Sequence, residues 1–480
     1  MKTVIAVTVP PPRFGYALNM AADLQDYIAG LDTLVPIRGS EWRPYINLDN
    51  AASTPPFKSV LQVVNDFAPW YSSVHRGNGL KSRLSTCAYE EAREIVMRFF
   101  GANSAEHVVI FGKNTTEAIN KLSYRLPLRK ADIVLISHLE HHSNDLPWRA
   151  RATVKRIGLT PEGGIDHKDF VALLNRYQGR VKVVTISGAS NVTGHIPDIH
   201  WFARKAHEAG AHIAVDCAQL AAHRPIHMGS LDDPEHLDYI AISGHKMYAP
   251  FGTGALIGRR NTFMRGEPEY RGGGTITVVT PKTVDWAFPP DSDEAGSPNV
   301  VGAVALARAI KTLEQIGMDT IARHEAALTR YALTKLKGVP DLTVYGASEP
   351  NYTTDRSGVI PFAIKNIPSH LVAAILGFEW GIGVRSGCFC AQPYVMSLLG
   401  ADRHTQHHVR YNLLHRRHDL VPGLVRISLG LYNTREEIDT VMTALKAIAR
   451  GEHGAYDVDQ TTGLYTPTGT IENFSPYFKI

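Results

Sequence analysis

The stretch Asp-Tyr-Ile-Ala-Ile-Ser-Gly-His-Lys-Met-Tyr-Ala-Pro-Phe-Gly-Thr-Gly, residues 238–254, has a lysine just beyond a short apolar run. The run predicts a buried β-strand, and Lys246 follows it beside small polar residues and ahead of a glycine-rich turn. A lysine in that position can hold an aldehyde cofactor as a Schiff base. The alternative is a lysine that extends to solvent from the strand end, since most lysines are solvated.

A second apolar run ends in a carboxylate, in His-Ile-Ala-Val-Asp-Cys-Ala-Gln (212–219). An ionised carboxylate against the ring nitrogen of pyridoxal phosphate (PLP) keeps that nitrogen protonated, and the protonated ring withdraws electrons from a substrate α-carbon. A buried aspartate without a cationic partner is costly. Asp216 and Lys246 together therefore predict a PLP site.

Short β-branched runs alternate with helix-like stretches over much of the chain. The runs cover residues 108–111, 133–137, 181–187, 213–216 and 239–243. Near-continuous apolar strands separated by helices predict an α/β fold, with a mostly parallel sheet covered on both faces. Because the runs end in candidate site residues, we expect the site along the carboxyl edge of this sheet.

The pattern changes near residue 311, where a long amphipathic helix is followed by two short strands and a closing helix from Thr434 to Arg450. We predict a large domain over residues 45–310 and a smaller α+β domain formed by residues 1–44 and 311–450. The tail, 451–480, is rich in Gly, Thr, Pro and Tyr and lacks a helical period. We expect it to be disordered or to lie over the surface.

Nine ordered motifs resemble class V aminotransferase-fold enzymes, and within them the cysteine desulfurase and selenocysteine lyase group. The motifs are Ile-Asn-Leu-Asp-Asn-Ala-Ala-Ser-Thr (46–54), His-Arg-Gly (75–77), Asn-Thr-Thr-Glu-Ala-Ile-Asn (114–120), Glu-His-His-Ser-Asn-Asp-Leu-Pro-Trp (140–148), Ser-Asn-Val-Thr-Gly (190–194), Asp-Cys-Ala-Gln (216–219), Ser-Gly-His-Lys (243–246), Arg-Ser-Gly-Cys-Phe-Cys-Ala (385–391) and Val-Arg-Ile-Ser (425–428). The resemblance implies the PLP-dependent transferase fold type I, with a seven-stranded sheet in the large domain and a smaller C-terminal domain.

The cofactor phosphate needs donors and a helix N-terminus, which Thr115 and Thr116 supply in Asn-Thr-Thr-Glu-Ala. A helix cap without a ligand is the alternative. The resemblance adds Ser243 and His245 to the phosphate site, Gln219 at the phenolic oxygen and Asn191 nearby.

The resemblance also implies an active site shared between two subunits. Its residues are Thr275 and Ser297, the first preceded by Gly272, Gly273 and Gly274, and in the family these segments reach the partner subunit's cofactor. We therefore expect a homodimer.

Substrate handling is assigned to a histidine and two arginines. By resemblance, His141 stacks on the pyridine ring and carries protons. An amino-acid carboxylate is held best by the planar fork of arginine, which makes Arg426 the anchor and Arg385 a second contact. Asn191 is also predicted to contact the substrate. A surface ion pair is the alternative for an arginine just inside a strand.

Cys390 occupies the position of the family's nucleophilic cysteine, on a predicted loop five residues after Arg385. The resemblance implies that its thiolate attacks the sulfur of a bound cysteine, leaving a persulfide on the enzyme and releasing alanine. Neighbouring cations favour the thiolate. The alternative is a buried, inert cysteine. Cys388 could form a strained disulfide with Cys390, relay a persulfide, or merely replace a family residue that is often histidine.

The same cofactor residues also suit other reactions. A carbon–sulfur lyase, an amino-acid epimerase or a class V aminotransferase would use them with Cys390 as a bystander, and a catalytically silent PLP-binding protein is a further alternative. An insert at about 394–424 contains five histidines, namely His404, His407, His408, His415 and His418. It could cover the site, dock a sulfur-acceptor protein or bind a metal, but a solvated helical hairpin is favoured, and we assign no metal site.

Composition excludes several classes of function. The 480 residues are 44% hydrophobic and 20% charged, with a net charge of +4, which gives no case for a nucleic-acid partner. No segment approaches the roughly 20 apolar residues of a membrane span. Proline interrupts the N-terminal apolar run too early for a signal peptide. Four cysteines are too few for disulfides to stabilise a chain of this length. We expect a cytoplasmic protein.

Overall fold

A computed structural model describes residues 24–39, 41–349, 356–470 and 473–479. The expectation about a signal peptide and most of the N-terminal part of the small domain lie outside these residues. The described chain begins with a 3-10 turn, Leu24–Tyr27, and continues with three short strands, β1 (Leu34–Pro36), β2 (Trp42–Pro44) and β3 (Ile46–Asn47). Strands β1 and β2 pair antiparallel.

A seven-stranded sheet forms the centre of the large domain. Its strands are β4 (His107–Gly112), β5 (Ile133–Ser137), β6 (Thr153–Ile157), β7 (Val181–Ser187), β8 (His212–Asp216), β9 (Tyr239–Ser243) and β10 (Gly254–Arg259). The strand order is β4-β10-β9-β8-β7-β5-β6, and only β10 runs antiparallel to its neighbours. The mostly parallel seven-stranded sheet is therefore confirmed. The five strands predicted from apolar runs are present, whereas β6 and β10 were missed.

Helices cover both faces of the sheet. They are α1 (Lys58–Phe67), α2 (Leu80–Phe99), α3 (Thr115–Arg125), α4 (Leu146–Arg151), α5 (His167–Arg176), α6 (Ile199–Glu208), α7 (Arg260–Phe263) and α8 (Val300–Ile316); a hairpin of β11 (Ile276–Val279) and β12 (Val284–Trp286) precedes α8. Alternate residues of β4 enter different hydrophobic clusters, Val109 and Phe111 one, Val108 and Ile110 the other. This two-sided burial explains why the strands read as continuous apolar runs.

The smaller domain has its own sheet and core. Its elements are α9 (Met318–Leu336), β13 (Leu342–Val344), β14 (Val359–Ile364), α10 (Ser369–Trp380), β15 (Ile382–Gly383), β16 (Arg385–Gly387), α11 (Gln392–Leu398), α12 (Arg403–Leu414), β17 (Leu424–Ser428) and α13 (Arg435–Ala449). The antiparallel sheet has the order β13-β14-β17-β16, and β15 pairs with β3. Residue 310, our predicted boundary, lies inside α8; the chain turns from α8 to α9 at Gly317, whose φ is 88°.

The insert and the tail are both ordered over their described residues. The insert contains most of α11, then α12 and a 3-10 turn, with α12 largely exposed apart from Val409. His404 and His408 approach to 3.2 Å between their Nε2 atoms, but among the described residues no third ligand completes a metal-binding group with them. The tail forms the hairpin β18 (Tyr456–Val458) and β19 (Tyr465–Pro467). Within the described residues, no helix has the length and hydrophobicity to cross a membrane.

Short 3-10 turns complete the described structure. They cover Leu24–Tyr27, Ala68–Trp70, His142–Asn144, Leu220–Ala222, Gly244–Lys246, Asp291–Asp293 and His418–Leu420. Three of them, at residues 142–144, 220–222 and 244–246, follow the central strands β5, β8 and β9.

Candidate active site

A cavity of about 290 Å³ opens at the carboxyl edge of the central sheet. Ser187, Asp216 and Ser243, the last residues of β7, β8 and β9, line it. Twelve of the predicted site residues line this cavity: Thr115, Thr116, His141, Asn191, Asp216, Gln219, Ser243, His245, Lys246, Arg385, Arg426 and the predicted nucleophile Cys390. The cavity therefore lies at the edge of the sheet that the strand pattern predicted.

Lys246 is positioned by the 3-10 turn that follows β9. Gly244 begins that turn and packs closely on the residue before β10, since a Cβ there would lie 2.7 Å from the carbonyl oxygen of Thr253. Burial lowers the pKa of Lys246 to about 8, against the opposing attraction of Asp216. The amine is thus easier to deprotonate than that of an exposed lysine.

Asp216 is a buried carboxylate at the end of β8. Its Oδ1 accepts a hydrogen bond from the Ala218 N–H at 3.0 Å, and burial raises its pKa. Gln219, next to this turn, donates its amide N–H to the carbonyl oxygen of Ala51 at 2.6 Å and keeps a second N–H. A cationic ring nitrogen against Asp216 would lessen the cost of burying this charge, so the site fits a pyridinium.

The predicted phosphate residues come from three segments. The hydroxyl of Ser243 accepts the Thr115 N–H at 2.9 Å and lies 2.8 Å from Thr115 Oγ1, at the first residue of the 11-residue helix α3. Asn114 caps that helix by accepting the Glu117 N–H at 3.1 Å. Hydroxyls from β9 and α3 therefore meet at a helix N-terminus, where an anion is stabilised.

Asn114, which sequence reasoning did not assign to the site, needs room beside β10. A Cβ at Gly254 would lie 2.7 Å from Asn114 Cα, so the glycine permits this close approach. His245 also lines the cavity, with its Nδ1 3.3 Å from the hydroxyl of Ser53. Burial lowers the pKa of His245 to about 4, and the ring is neutral near pH 7.

The ring of His141 is fixed in one tautomer by the backbone of Ser143. The N–H of Ser143 donates to His141 Nδ1 at 3.1 Å, so a neutral ring carries its proton on Nε2. Burial, with Lys246 as the next contribution, lowers the pKa of His141 to about 4. The hydroxyl of Ser143 also contacts Thr116 Oγ1 at 2.7 Å, which connects the histidine to α3.

The two predicted substrate arginines meet at a carboxylate that the sequence did not reveal. Asp49 accepts from Nη2 of Arg426 at 2.9 Å and from Nε and Nη2 of Arg385 at 3.0 and 2.9 Å. Arg426 is 2% exposed, and its Nη1 donates to the carbonyl oxygen of Asn191 at 2.8 Å. Its buried Nε has no partner among the described residues, so a donor remains for a ligand. Burial lowers the pKa of Arg426 to about 10.

Cys390 is exposed and its loop is tied to the large domain. The side-chain N–H of Asn191 donates to the carbonyl oxygen of Phe389 at 2.7 Å, and the backbone N–H of His142 donates to the carbonyl oxygen of Cys390 at 2.7 Å. Cys388 is a second free thiol, with Sγ 3.8 Å from the carbonyl oxygen of Pro422. It is absent from the described lining of the cavity, and burial raises its pKa to about 11.

Thr275 and Ser297 do not reach this cavity in their own chain. Thr275 is buried and donates its hydroxyl to the carbonyl oxygen of Gly272 at 2.8 Å. Ser297, Gly273 and Gly274 line a separate cleft of about 340 Å³. Their predicted contact with a cofactor therefore requires the site of another subunit.

The sequence and the structure were compared with known proteins. The family model for "Aminotransferase class-V" matches residues 46–441. A probable cysteine desulfurase of Staphylococcus epidermidis is 36% identical over 408 residues, covering 83% of this chain and 91% of the relative. A cysteine desulfurase of Dickeya dadantii is 35% identical over 419 residues, covering 85% of this chain and 93% of the relative.

Solved structures agree with these relatives. The apo cysteine desulfurase of Thermococcus onnurineus NA1 superposes with a TM-score of 0.74 at 31% identity, covering 85% of this chain and 95% of that one. The cysteine desulfurase CsdA of Escherichia coli gives a TM-score of 0.70 at 26% identity, with the same coverage. Since the family model spans most of the chain and the fold is type I of PLP-dependent enzymes, the chain belongs to the class V aminotransferase family.

Proposed function

We propose that this chain is a PLP-dependent cysteine desulfurase, which takes sulfur from L-cysteine, or selenium or sulfinate from an analogue, and releases alanine. The observation that carries the proposal is the position of Cys390, an exposed cysteine that lines the same cavity as Lys246, Asp216 and two arginines. Relatives named cysteine desulfurase support the choice of reaction.

The donor set fits PLP, since a buried carboxylate, a lysine amine and hydroxyls at a helix N-terminus surround one cavity. When bound, PLP supplies an electron sink for the substrate α-carbon. Lys246 would hold the aldehyde covalently and Asp216 the ring nitrogen. The remaining predicted ligands keep the roles that the resemblance implies. Gln219 would bond the phenolic oxygen, with Asn191 nearby, and His141 would stack on the ring. The phosphate would be held by Thr115, Thr116, Ser243 and His245.

Arg426 and Arg385 would orient the substrate. The buried Nε of Arg426 offers a donor to an α-carboxylate, and Arg385, opposite it across the β16–β17 pair, offers a second. Lys246, with a pKa of about 8, has an unprotonated amine in part of the population near neutral pH and can accept the α-proton. His141, neutral with its proton on Nε2, can carry protons between substrate atoms.

Cys390 then receives the sulfur. Its thiolate attacks the sulfur of the bound cysteine, a sulfur–sulfur bond forms, the carbon–sulfur bond breaks and the carbon takes up a proton. Cysteine and the Cys390 thiol thereby give alanine and a Cys390 persulfide, so the step balances without an external oxidant. The persulfide requires a further thiol, from a small molecule or an acceptor protein, to regenerate the enzyme.

Assembly and location complete the proposal. Thr275 and Ser297 belong to exposed segments outside their own cavity, which suits a homodimer whose subunits share active sites. A cytoplasmic location would suit the proposed nucleophile, because thiols such as Cys388 and Cys390 stay reduced there.

The test is replacement of Cys390 by alanine, with Cys388→Ala as the matched control. Sulfide and alanine released from L-cysteine are measured under reducing conditions, together with the absorbance of bound PLP. We expect Cys390→Ala to lose at least about a hundredfold in kcat while it retains PLP, because only the nucleophile is removed. Cys388→Ala should stay within about threefold of the unaltered enzyme. Undiminished turnover of Cys390→Ala would eliminate the persulfide mechanism.

A further inference from the structure

The loop that carries Cys390 has an unusual backbone. Phe389 and Cys390 have φ values of 52° and 53°, two successive non-glycine residues in the left-handed region. L-residues visit this region as isolated residues, and each such residue is strained. Such a conformation persists only where surrounding contacts hold it.

Three contacts from the large domain hold this loop. The side chain of Asn191 bonds the carbonyl oxygen of Phe389, and the backbone N–H of His142 bonds that of Cys390. In the third contact the loop is the donor, since the backbone N–H of Gln392 donates to His142 Nε2 at 3.3 Å. His142 therefore fastens the chain on both sides of residue 391.

Of the two contacts that His142 makes with this loop, only the one to its side chain depends on the residue being histidine. The N–H of residue 142 is present in any variant except proline, whereas the acceptor for the Gln392 N–H is the imidazole nitrogen. His142 is half-buried, and burial lowers its pKa against the opposing charge of Asp145. The ring is thus neutral near pH 7, and its Nε2 can accept a hydrogen bond.

We propose that His142 is a positioning residue, whose imidazole holds the Cys390 loop so that the thiol meets the sulfur of the substrate. The inference rests on the proposed desulfurase function. His142 itself is absent from the described lining of the cavity, whereas its neighbour His141 lines it. Binding of the cofactor and of the substrate carboxylate uses other residues, so the loss should fall on sulfur transfer alone. A displacement of about 1 Å at a nucleophile can cost about a hundredfold in rate.

The test compares His142→Gln with His142→Asn in the PLP-loaded enzyme. The amide oxygen of glutamine can reach the position of Nε2, whereas that of asparagine is one methylene short. Persulfide formation on Cys390 is timed by quenching and mass spectrometry of the Cys390 peptide. Binding of L-alanine is followed through the absorbance of the cofactor.

We expect His142→Asn to slow persulfide formation by about tenfold or more, and His142→Gln to stay within about threefold of the unaltered enzyme. Affinity for L-alanine should change less than about twofold in both. Should the asparagine variant not bind PLP, His142→Phe keeps a planar ring without an acceptor, and we expect the same slowing.

Equal rates in the glutamine and asparagine variants, or equal losses in alanine affinity and sulfur transfer, would overturn the positioning role while leaving the desulfurase proposal intact. Absence of a Cys390 persulfide in the unaltered enzyme would overturn both.

Discussion

Lys246 and Asp216 respond to the same burial in opposite directions. The low-polarity environment disfavours each charged form, so it lowers the pKa of the amine and raises that of the carboxyl. Their mutual attraction only partly offsets this effect. The cavity thus contains an amine that is partly neutral near pH 8 and a carboxylate in need of a cation, which is the pairing that a PLP site requires.

The pKa of Lys246 predicts how the cofactor-free protein captures PLP. Attack on an aldehyde requires the unprotonated amine, whose fraction rises with pH and levels off above the pKa of about 8. We expect the rate of PLP uptake, followed by absorbance, to be about tenfold lower at pH 7 than at its plateau near pH 9. Nα-acetyl-lysine is the control, and its rate should still rise beyond pH 9. A plateau for the protein only above pH 10 would contradict a buried, perturbed lysine.

Single residues were easier to predict than their partners. Lys246 and Asp216 follow apolar runs, and that local pattern placed both at the carboxyl edge of the sheet. Asp49 was missed although it lies in a quoted motif, because its bonds to Arg385 and Arg426 join positions more than 300 residues apart. A sequence without an alignment contains no signal for such pairing.

At the scale of elements, the sequence predicted buried strands better than edge or glycine-containing ones. Strand β6 carries Lys155 and Arg156, is only partly buried and pairs on one side, so its apolar pattern is weak. Strand β10 begins with Gly254, a residue that usually weakens strands, and was read as part of a turn. The closing helix was predicted within one residue at each end, because Thr434 and Glu437 form a capping box.

Strands β16 and β17 bring two positive charges directly opposite one another. Arg385 and Arg426 are cross-strand partners, and like charges in that arrangement are destabilising. Asp49 lies between them and orients both guanidinium groups. Three segments therefore form the proposed binding site for a substrate carboxylate. Strands β16 and β17 supply the two arginines, and the N-terminal motif supplies the negative charge of Asp49.

Replacement of Asp49 by asparagine should loosen this clamp. The amide keeps the shape of the side chain but removes the charge that holds the half-exposed Arg385 beside Arg426. Hydrogen bonds to charged groups contribute about 1.5–3 kcal/mol, so we expect KM for L-cysteine to rise about tenfold or more, with a smaller change in kcat. Steady-state kinetics of alanine release measure both. Asp49→Glu is the charge-retaining control, and an unchanged or lower KM for Asp49→Asn would refute the orienting role.

At the scale of the whole molecule, Thr275 and Ser297 are absent from the described lining of the cavity in their own chain. The β11–β12 hairpin between them exposes Val278, Val279 and Val284 by 49%, 59% and 43%. Contiguous exposed apolar residues of this kind mark interaction surfaces. The backbone joins the two segments, since the Gly296 N–H donates to the carbonyl oxygen of Gly273 at 2.8 Å. A second copy of the chain that covers the hairpin would also receive these segments at its own cavity.

The variant Val279→Asp tests whether assembly and cofactor binding are linked. A charge in a buried interface is costly, so we expect the dimer to dissociate, which light scattering would detect. We also expect PLP affinity to fall by about tenfold or more, because Thr275 and Ser297 of the partner subunit would leave the site. Val458→Asp, at an exposed valine of the tail hairpin, is the control and should change neither property. A monomeric unaltered protein, or a monomeric variant that binds PLP as tightly as the dimer, would show that each cavity is complete within one chain.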